Sequence, residues 1–467
     1  MTEPRGSNPE AVGGWVRYPE YKNTGVAWLG EIPAHWEVRR LKECANARLS
    51  TVDKKSVEGD PEVRLCNYVD VYYNDLIHGE IEFMTATATP AQVRRFSLRQ
   101  GDVLITKDSE AWTDIAVPAL VTEDLADVVC GYHLALIRPR SNCLGAFFGR
   151  AIGAVGLQEQ YHVAANGITR FGLTVDAIRN GILPLPPLSE QTAIAGFMDR
   201  ETTKIDALIA KQQELIRLLQ EKRTALTGHA VTKGLDPDVP MKDSGVEWLG
   251  EIPAHWEVAA LQYRYEQSLG KMLDAKQITG DYLVPYLRNV DVQWDHINLA
   301  DLPTMDIRPQ ELDRFTVRPG DLLVCEGGEA GRCAIWDGDL DPCGYQKALH
   351  RLRPLDSVRD APRFLYYTLS AAVARRAFAG GQGSTIGHLT GDMLRAQRFP
   401  FPSTTEQRAI VRSLDRETAK IDTLIAKADD AIAHLNEYRS ALISAAVTGK
   451  IDVRHYLQAD ATPHPTP

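Results

Sequence analysis

Long apolar runs, cysteine motifs and excess positive charge are all missing from this 467-residue sequence. The seven cysteines are odd in number and scattered, and no two form a Cys-x-x-Cys pair, which argues against a disulfide framework and favours a reducing compartment. No apolar run is long enough to span a membrane, and the polar N-terminus (MTEPRGSNPE) has no signal-peptide pattern. We therefore expect a cytoplasmic protein without a membrane segment.

Positive charge is scarce except in one segment. A net charge of −10 argues against a protein that coats nucleic acid by bulk electrostatics, because non-specific binding requires Lys and Arg to neutralise phosphates. Residues 345–403 are the exception, with nine lysines and arginines against three aspartates. The segment is either a local DNA-binding face or a solvated basic surface, and charge alone does not separate the two.

Motifs of familiar catalytic centres are also absent. The single Pro-Pro pair, Pro186 and Pro187, lies between leucines and lacks the preceding Asn or Asp of an adenine methyltransferase. No Walker lysine loop occurs, and no set of two carboxylates with a lysine recurs in both halves. Cys130 and His133 have a metal-ligand spacing, but the matching position of the second half is Gln346, so a buried thiol is favoured over a zinc site. We expect no metal and no catalytic residue in this chain.

The chain is an internal duplication. GVAWLGEIPAHWEV (residues 25–38) returns as GVEWLGEIPAHWEV (residues 245–258) with one difference, at an offset of 220. Residues 190–211 return as residues 406–427 with 15 of 22 positions identical, at an offset of 216. Between these blocks the halves diverge but share landmarks, such as RFSLRQGDVLI against RFTVRPGDLLV and NGITRFGLT against GSTIGHLT. Each half is thus an anchor segment, a variable α/β domain of mixed sheet and helices, and a long helix.

The two helices carry an apolar heptad pattern, which predicts a partner helix for each. The heptad positions are Ile205, Leu208, Gln212, Leu215, Leu219, Lys222 and Leu226 in the first helix and Ile421, Leu424, Ala428, Ala431, Leu435, Tyr438 and Leu442 in the second. Pro187 precedes the first helix, Thr404 and Gln407 have capping-box spacing, and Gly228 and Gly449 are predicted stops. A helix over residues 189–228 extends roughly 57 Å.

Packing the helices antiparallel satisfies both heptad patterns and relates the halves by a pseudo-twofold axis. The variable domains then lie at opposite ends of a rod, an arrangement that suits two DNA half-sites. A helical hairpin or an oligomerisation interface remains an alternative.

These motifs resemble those of type I restriction-modification specificity subunits. The resemblance rests on the GxxWLGEIPAHW anchor, GDLLVCEGGEAGRCAIW (residues 320–336), GQGSTIGHLT (residues 381–390), the PPLSEQ and FPSTTEQ helix starts, and the DRETxKID helices, and it covers residues 18 to about 453. It implies the following segments: 1–17 an N-terminal extension, 18–188 a first target-recognition domain with its anchor, 189–234 a long helix, 235–403 a second target-recognition domain with its anchor, 404–450 a second long helix, and 451–467 a tail.

The resemblance also implies the function. Each target-recognition domain would read one half of a split DNA sequence, and the helices would dock two modification methyltransferase subunits and restriction/translocase subunits. S-adenosylmethionine, ATP and Mg would be cofactors of those partners, with none in this chain. Two alternatives remain: a protein-interaction scaffold of the same fold, and a cryptic metal-dependent nuclease.

Candidate DNA-reading residues come from the variable loops, because Arg and Lys suit guanine, Asn and Gln adenine, and Glu and Asp cytosine. In the first domain they are Lys107, Trp112, His133, Asn166, Thr169 and Arg170. In the second domain they are Glu326, Arg332, Gln346, Lys347, Gln382, Ser384, Thr385 and His388. Phosphate positioning or plain loop structure is the alternative for each of them.

Two repeated features are treated differently. The tryptophans of the anchor, identical in both halves, cannot discriminate two half-sites, so we assign them a structural role: Trp28, Trp36, Trp248 and Trp256. The repeated charged triplets of the helices have either intrahelical pairing or partner docking as their role. They are Asp199, Arg200 and Glu201 in the first helix and Asp415, Arg416 and Glu417 in the second.

Overall fold

The computed structural model describes residues 15–273, 279–378 and 388–457, and the chain divides into two units. Unit 1 is drawn from Met1–Lys211 and Asp430–Pro467, and unit 2 is Gln212–Asp429. Each unit therefore contains one variable domain, its own anchor segment, the first part of one long helix and the last part of the other. Both units mix sheet and helices, which confirms the predicted α/β class.

Unit 1 is built around two mixed sheets and short helices. Its strands are β1 (Tyr21–Asn23), β2 (Glu31–Pro33), β3 (Glu37–Arg40), β4 (Ala45–Leu49), β5 (Glu62–Cys66), β6 (Leu76–Ile77), β7 (Met84–Thr87), β8 (Ser97–Leu98), β9 (Val103–Thr106), β10 (Asp108–Ser109), β11 (Pro118–Val121), β12 (Leu125–Cys130), β13 (Leu134–Pro139), β14 (Phe171–Gly172) and β15 (Ile182–Leu185). Its short helices are α1 (Leu41–Cys44), α2 (Tyr68–Tyr72), α3 (Pro90–Phe96), α4 (Gly145–Ile152), α5 (Val155–Ala164) and α6 (Val175–Asn180).

The larger sheet of unit 1 has the strand order β4-β13-β9-β11-β6, and the smaller has β7-β5-β12-β8. Most neighbouring pairs are antiparallel, but β11 pairs parallel with β6 and β12 pairs parallel with β5. Strand β9 (Val-Leu-Ile-Thr) lies between β13 and β11, and all four of its residues are buried, which accounts for its three consecutive apolar residues. Three small pairs, β1–β2, β3–β15 and β10–β14, complete the unit.

The long helices are α7 (Leu188–Lys233) and α11 (Thr404–Val447). Unit 2 contains β16 (Met241–Asp243), β17 (Glu251–Pro253), β18 (Glu257–Ala260), β19 (Tyr265–Leu269), β20 (Leu283–Leu287), β21 (Val292–Gln293), β22 (His296–Ile297), β23 (Thr304–Asp306), β24 (Leu322–Cys325), β25 (Cys333–Ile335), β26 (Gly344–Tyr345), β27 (Leu349–Pro354) and β28 (Arg398–Phe401). Its short helices are α8 (Leu312–Phe315), α9 (Pro362–Ala374) and α10 (Gly391–Ala396).

Unit 2 repeats the plan of unit 1. Its sheets have the orders β19-β27-β24-β25 and β23-β20-β26, with β20 and β26 parallel, as β5 and β12 are. The predicted Gly-Asp turns have the same construction in both units. Asp102 and Asp321 are buried and pair with Arg138 and Arg353 at 2.6 and 2.7 Å, respectively. The landmarks shared by the two halves therefore mark equivalent structural positions.

Inside each unit the two long helices run antiparallel. In unit 1, Ile194 and Met198 near the start of α7 share a core with Ala446 and Val447 at the end of α11. In unit 2, Val231 at the end of α7 shares a core with residues from the start of α11, Ile410 and Leu414. The antiparallel direction agrees with the prediction, and of the heptad positions Ile205 and Leu442 belong to the same core in unit 1.

Only some heptad positions are buried, however. Five are buried (Ile205, Leu219, Ile421, Ala428 and Leu442), four are half-buried (Gln212, Leu226, Ala431 and Leu435), and five are exposed (Leu208, Leu215, Lys222, Leu424 and Tyr438). The predicted partner helix is therefore present for each long helix, but the contact buries only part of the heptad pattern. A pattern of apolar residues shows which positions share a helix face, but not how wide the contact with the neighbour is.

Two predicted helix boundaries also need correction. Gly228 does not stop α7, which continues to Lys233 and is followed by Gly234 at a φ of +77°. Gly228 instead lies against Arg375, whose Nη2 would be 3.1 Å from an added Cβ. The capping box of α11 is formed by Ser403 and Glu406 rather than by Thr404 and Gln407, since the Ser403 hydroxyl accepts from the Glu406 N–H at 3.3 Å.

The anchor tryptophans have the structural role that the sequence indicated. Trp36 and Trp256 are buried, and each donates its indole N–H to a glutamate in the first turn of a long helix, Glu190 at 2.9 Å and Glu406 at 3.2 Å. Trp28 packs against the core of unit 1 and Trp248 against that of unit 2. Among the described residues, none of the helices is both long enough and apolar enough to cross a membrane.

Candidate functional site

Three backbone segments meet in the same way in each unit. In unit 1 the Lys107 N–H donates to the His133 carbonyl at 3.0 Å, and the Lys107 carbonyl accepts from the Leu173 N–H at 2.8 Å. In unit 2 the Glu326 N–H donates to Ala348 at 3.0 Å, and the Glu326 carbonyl accepts from Leu389 at 2.6 Å. We call this arrangement the loop frame: residues 107, 133 and 173 in unit 1 and residues 326, 348 and 389 in unit 2.

The loop frame corrects the alignment of the two halves. The Gly131 N–H donates to the carbonyl that ends β5, and the Gln346 N–H donates to the carbonyl that ends β20, so Gly131 and Gln346 are equivalent. Tyr132 is then equivalent to Lys347, and His133 to Ala348. The sequence alignment placed CGY of residues 130–132 opposite CGY of residues 343–345, and so matched His133 with Gln346. The hydrogen bonds show that this alignment is shifted by two residues. Tyr132, half-exposed, is a surface residue that sequence reasoning missed for this reason.

In unit 1 the loop frame assembles a charged cluster around Asp108. The Asp108 carboxylate accepts from His133 Nδ1 at 2.5 Å, from an Arg170 Nη at 2.9 Å and from Lys107 Nζ at 3.1 Å. Lys107 Nζ also lies 4.0 Å from the centroid of the Tyr132 ring. Three of the six residues predicted for this domain, Lys107, His133 and Arg170, thus contact one carboxylate. That carboxylate belongs to Asp108, which was not among the predicted residues.

The electrostatics of this cluster follow from its contacts. Partial burial would raise the pKa of Asp108, but the hydrogen bonds from His133 and Lys107 outweigh burial, so the pKa lies below its usual value. Asp108 is therefore ionised at neutral pH and holds Lys107, whose side chain is mostly buried. Arg170 remains exposed, with its guanidinium anchored at one end. The cluster presents a pre-positioned guanidinium and imidazole.

The remaining predicted residues of unit 1 lie around this cluster. Trp112 is exposed and meets His162 edge-on at 5.3 Å. Asn166 donates to the Ala164 carbonyl at 3.0 Å, and Thr169 is exposed. Two tyrosines of α2, Tyr68 and Tyr72, stack at 5.4 Å beside Asp108 and form a wall of the same cleft.

In unit 2 the predicted residues divide into exposed and buried ones. Lys347 and His388 are exposed, and His388 bridges to Gly327 beside Glu326. Arg332 is largely buried and donates to Asn289 at 2.9 and 3.1 Å, so it supports the loop. Gln346 is partly buried. Three predicted residues lie outside the described residues: Gln382, Ser384 and Thr385.

In the described part of the basic segment 345–403, more than half of the positive charges are paired with carboxylates. Five of its arginines pair with carboxylates of the same unit: Arg351 with Glu266, Arg353 with Asp321, Arg359 with Glu257, Arg363 with Asp295 and Asp415, and Arg395 with Asp392. Arg351 is buried and also donates to three backbone carbonyls. Charge counted along the sequence therefore overstates the positive charge that unit 2 presents.

The charged triplets of the helices have mixed roles. Asp199 pairs with Arg150 of α4 at 2.8 Å, and Asp415 pairs with Arg363 of α9 at 3.0 Å, so both carboxylates tie a helix to its own variable domain. Glu201 and Glu417 pair within their helices with Lys204 and Lys420. Arg200 donates to the Tyr456 carbonyl at 3.2 Å, and Arg416 pairs with Glu417 at 3.0 Å.

The predicted buried thiol is observed. Cys130 is fully buried, and burial raises the pKa of its thiol. Among the described residues no group of three or more His, Cys, Asp and Glu side chains has metal-binding proximity.

Comparison with known proteins identifies the family. A model of the type I restriction modification DNA specificity domain matches residues 33–217 and 256–432. The chain belongs to this family. The two matched ranges correspond to the two copies of the internal duplication, so both copies are specificity domains.

Relatives of this specificity-domain chain are distant but extensive. It is 25% identical to the EcoKI type I restriction enzyme specificity subunit of Escherichia coli K12 over 284 residues, which is 58% of this chain and 57% of that subunit. It is 24% identical to a candidate MjaX specificity subunit of Methanocaldococcus jannaschii over 94% of this chain and 99% of the relative. The match thus spans little more than half of the Escherichia coli protein but nearly all of the archaeal one.

Solved structures confirm the fold. An HsdS subunit from Thermoanaerobacter tengcongensis superposes with a TM-score of 0.52 at 19% identity, covering 90% of this chain and 98% of that one. A chain from a structural study of complex assembly and conformational transition in the type I R-M system gives a TM-score of 0.63 at 20% identity, covering 89% and 98%.

Proposed function

We propose that this chain is the DNA-recognition subunit of a type I restriction-modification complex. Unit 1 reads one half of a split, asymmetric DNA sequence and unit 2 reads the other, while catalysis belongs to partner subunits. The observation that carries the proposal is the loop frame, which has the same backbone hydrogen bonds in both units but different side chains at equivalent positions. Two readers of unlike half-sites require this combination.

The side chains around each loop frame support base reading. Arg170 and His133 are donors held by Asp108, and Arg is the side chain best suited to guanine. Lys347 and His388 occupy the corresponding exposed edge of unit 2. Because overall charge is negative, affinity for DNA comes from these local groups and from the partner subunits.

The partners follow from the family. The chain assembles in the cytoplasm with double-stranded DNA, two modification methyltransferase subunits and restriction/translocase subunits. S-adenosylmethionine, ATP and Mg are the cofactors of those partner subunits. The exposed heptad leucines, such as Leu208 and Leu215, and the exposed Arg416 are candidate docking groups on the helices.

Methylome sequencing tests the proposal. Cells that express this chain with its modification subunits are expected to carry adenine methylation in both halves of a split sequence. A continuous palindromic mark would contradict the two-reader arrangement. Cells with the modification subunits alone serve as the control.

Substitution in one unit is expected to change one half-site only. Gln346→Ala with Lys347→Ala removes one partly buried and one exposed side chain beside the loop frame of unit 2 but leaves its backbone hydrogen bonds intact. The methylated sequence should relax at one half and keep the other, with a loss of about 1–3 kcal/mol at an affected base pair. Equal relaxation of both halves would refute the assignment of one reader to each unit.

Two alternatives give different results. A protein-interaction scaffold of the same fold would show no sequence-selective methylation with the modification subunits. A cryptic nuclease would cleave DNA as the purified chain in the presence of Mg²⁺. Equivalent loop frames with unlike side chains favour DNA recognition, because neither alternative requires that divergence.

A further inference from the structure

One strongly apolar side chain lies at the tip of a loop beside the Asp108 cluster. Ile168 is 96% exposed, so it contributes almost nothing to the core of unit 1. Single exposed apolar residues are common on proteins, so exposure alone says little. Its position makes it informative, because its neighbours Thr169 and Arg170 are predicted DNA-reading residues and Arg170 is held by Asp108 at 2.9 Å.

The loop that carries Ile168 is narrow and firmly closed. Asn166 and Gly172 exchange two backbone hydrogen bonds, of 3.0 and 2.9 Å, which pin both ends of the loop. Gly167 has a φ of +148°, and an added Cβ would lie 1.8 Å from the Arg170 carbonyl oxygen. Only glycine fits there, so the turn is tight, and Ile168 lies at its tip. A projection of this width is small enough to enter a DNA groove.

The loop frame supplies the counterpart of Ile168 in the other half. Leu173 and Leu389 donate to equivalent carbonyls, of Lys107 and Glu326, which sets the offset between these segments at 216. By this offset the sequence position that corresponds to Ile168 is Ser384. Ile168 in unit 1 therefore corresponds in sequence to Ser384 in unit 2, and Ser384 is one of the predicted DNA-reading residues.

We propose that Ile168 reads a thymine in the half-site of unit 1 by contacting its C5 methyl group in the major groove. This inference rests on the proposed function and adds to it a base and a residue. The thymine methyl is the one apolar group that bases display in the major groove, and an aliphatic side chain recognises it by excluding water. The residue at the matching sequence position of unit 2, Ser384, has no aliphatic side chain for such a contact.

The test uses the full chain assembled with its modification subunits. Its split target is first obtained from the methylome, and duplexes are then made in which each thymine of either half is replaced singly by uracil, which lacks the methyl group. We expect one position at which uracil weakens binding about fourfold, as burial of one methyl group implies. Ile168→Ser should bind the thymine and uracil duplexes equally at that position, whereas Ile168→Val should keep the preference.

Two controls exclude indirect effects. Val163→Ser changes another aliphatic residue, 89% exposed on α5, and should keep the full uracil sensitivity. Thr169→Ser keeps the hydroxyl of a predicted DNA-reading residue and removes only its methyl group, so it tests whether Thr169 rather than Ile168 contacts the thymine; if Ile168 makes the contact, this variant keeps its uracil sensitivity. Circular dichroism melting is expected to be the same for all four variants, because neither Ile168 nor Val163 is part of the core.

The outcomes separate the two proposals. If no split methylated sequence is found, the proposed function fails and this inference fails with it. If the sequence is found but uracil has no effect at any position, or the effect persists in Ile168→Ser, the inference alone is refuted. If Thr169→Ser instead loses the uracil sensitivity, Thr169 rather than Ile168 contacts the thymine methyl group, and the inference is also refuted.

Discussion

One carboxylate in each unit connects the anchor segment to the start of a long helix. Removing this carboxylate should destabilise unit 1 much more than unit 2. In unit 1, Glu190 accepts hydrogen bonds from Trp36 Nε1 at 2.9 Å, the Tyr18 hydroxyl at 3.1 Å and His35 Nε2 at 2.7 Å. In unit 2, Glu406 accepts from the equivalents of two of these, Trp256 and His255. The perturbation is Glu190→Ala, compared with Glu406→Ala.

The magnitude follows from burial. The Glu190 side chain is 10% exposed, and its removal leaves two buried donors, the Trp36 indole and the Tyr18 hydroxyl, without an acceptor. Each such donor costs about 1–3 kcal/mol, so we expect a loss of about 3 kcal/mol in the free energy of unfolding of unit 1. The Glu406 side chain is 37% exposed, so water replaces it, and we expect a loss of about 1 kcal/mol in unit 2.

Hydrogen–deuterium exchange in increasing urea measures the two units separately. Peptides from the anchor and the start of α7 should lose protection in Glu190→Ala, and the melting temperature of unit 1 should fall by roughly 6–12 °C. Glu190→Gln keeps an acceptor and should be intermediate. Adding Trp36→Phe to Glu190→Ala removes one stranded donor, so the double variant should be less than additive. Equal, small effects of Glu190→Ala and Glu406→Ala would refute the reasoning.

Three further predictions concern other positions. Gly449→Ala should destabilise unit 1 by about 2–4 kcal/mol in urea unfolding, because φ is +72° and the new Cβ would lie 2.3 Å from Pro33; Gly25→Ala, at φ +70° in open space, should cost only about 1 kcal/mol. Burial lowers the pKa of His350 below 6.5, so unfolded unit 2 takes up a proton that the folded unit does not; its stability should fall as pH drops below about 6.5, and His350→Leu should flatten that slope. Asp108→Asn should lower the methylation rate that depends on the half-site read by unit 1, with little change in the free energy of unfolding. If the variant affected the recognition of both half-sites equally, the assignment of the cluster to unit 1 would be contradicted.

The duplication and the general fold could be predicted because they depend on local patterns. The identical anchors reveal two copies, the Gly-Asp turns follow from short-range turn chemistry, and the heptads reveal helices with a buried face. The Gly228 stop was wrong because glycine weakens a helix without ending it when packing holds the flanking turns. Gly228 instead lies against the guanidinium of Arg375.

The candidate site was only partly predictable because it depends on pairing across the chain. Lys107, His133 and Arg170 were selected by residue type, but Asp108, which holds all three, was not. Tyr132 was missed because the repeated letters CGY suggested a register that the hydrogen bonds of β5 and β20 contradict. Contacts between residues far apart in the chain have no signature in a single sequence.

The sequence by itself determined that this chain is two copies of one α/β domain with a long helix after each, and its motifs were sufficient to indicate the family. Those features are encoded by repeats and periodicities that act over a few residues. Only the tertiary structure decided which charges are free. Arg351 and Arg363 are neutralised inside unit 2, and Arg170 is oriented by Asp108, because ion pairs form between groups that folding brings within about 3 Å, whatever their separation along the chain.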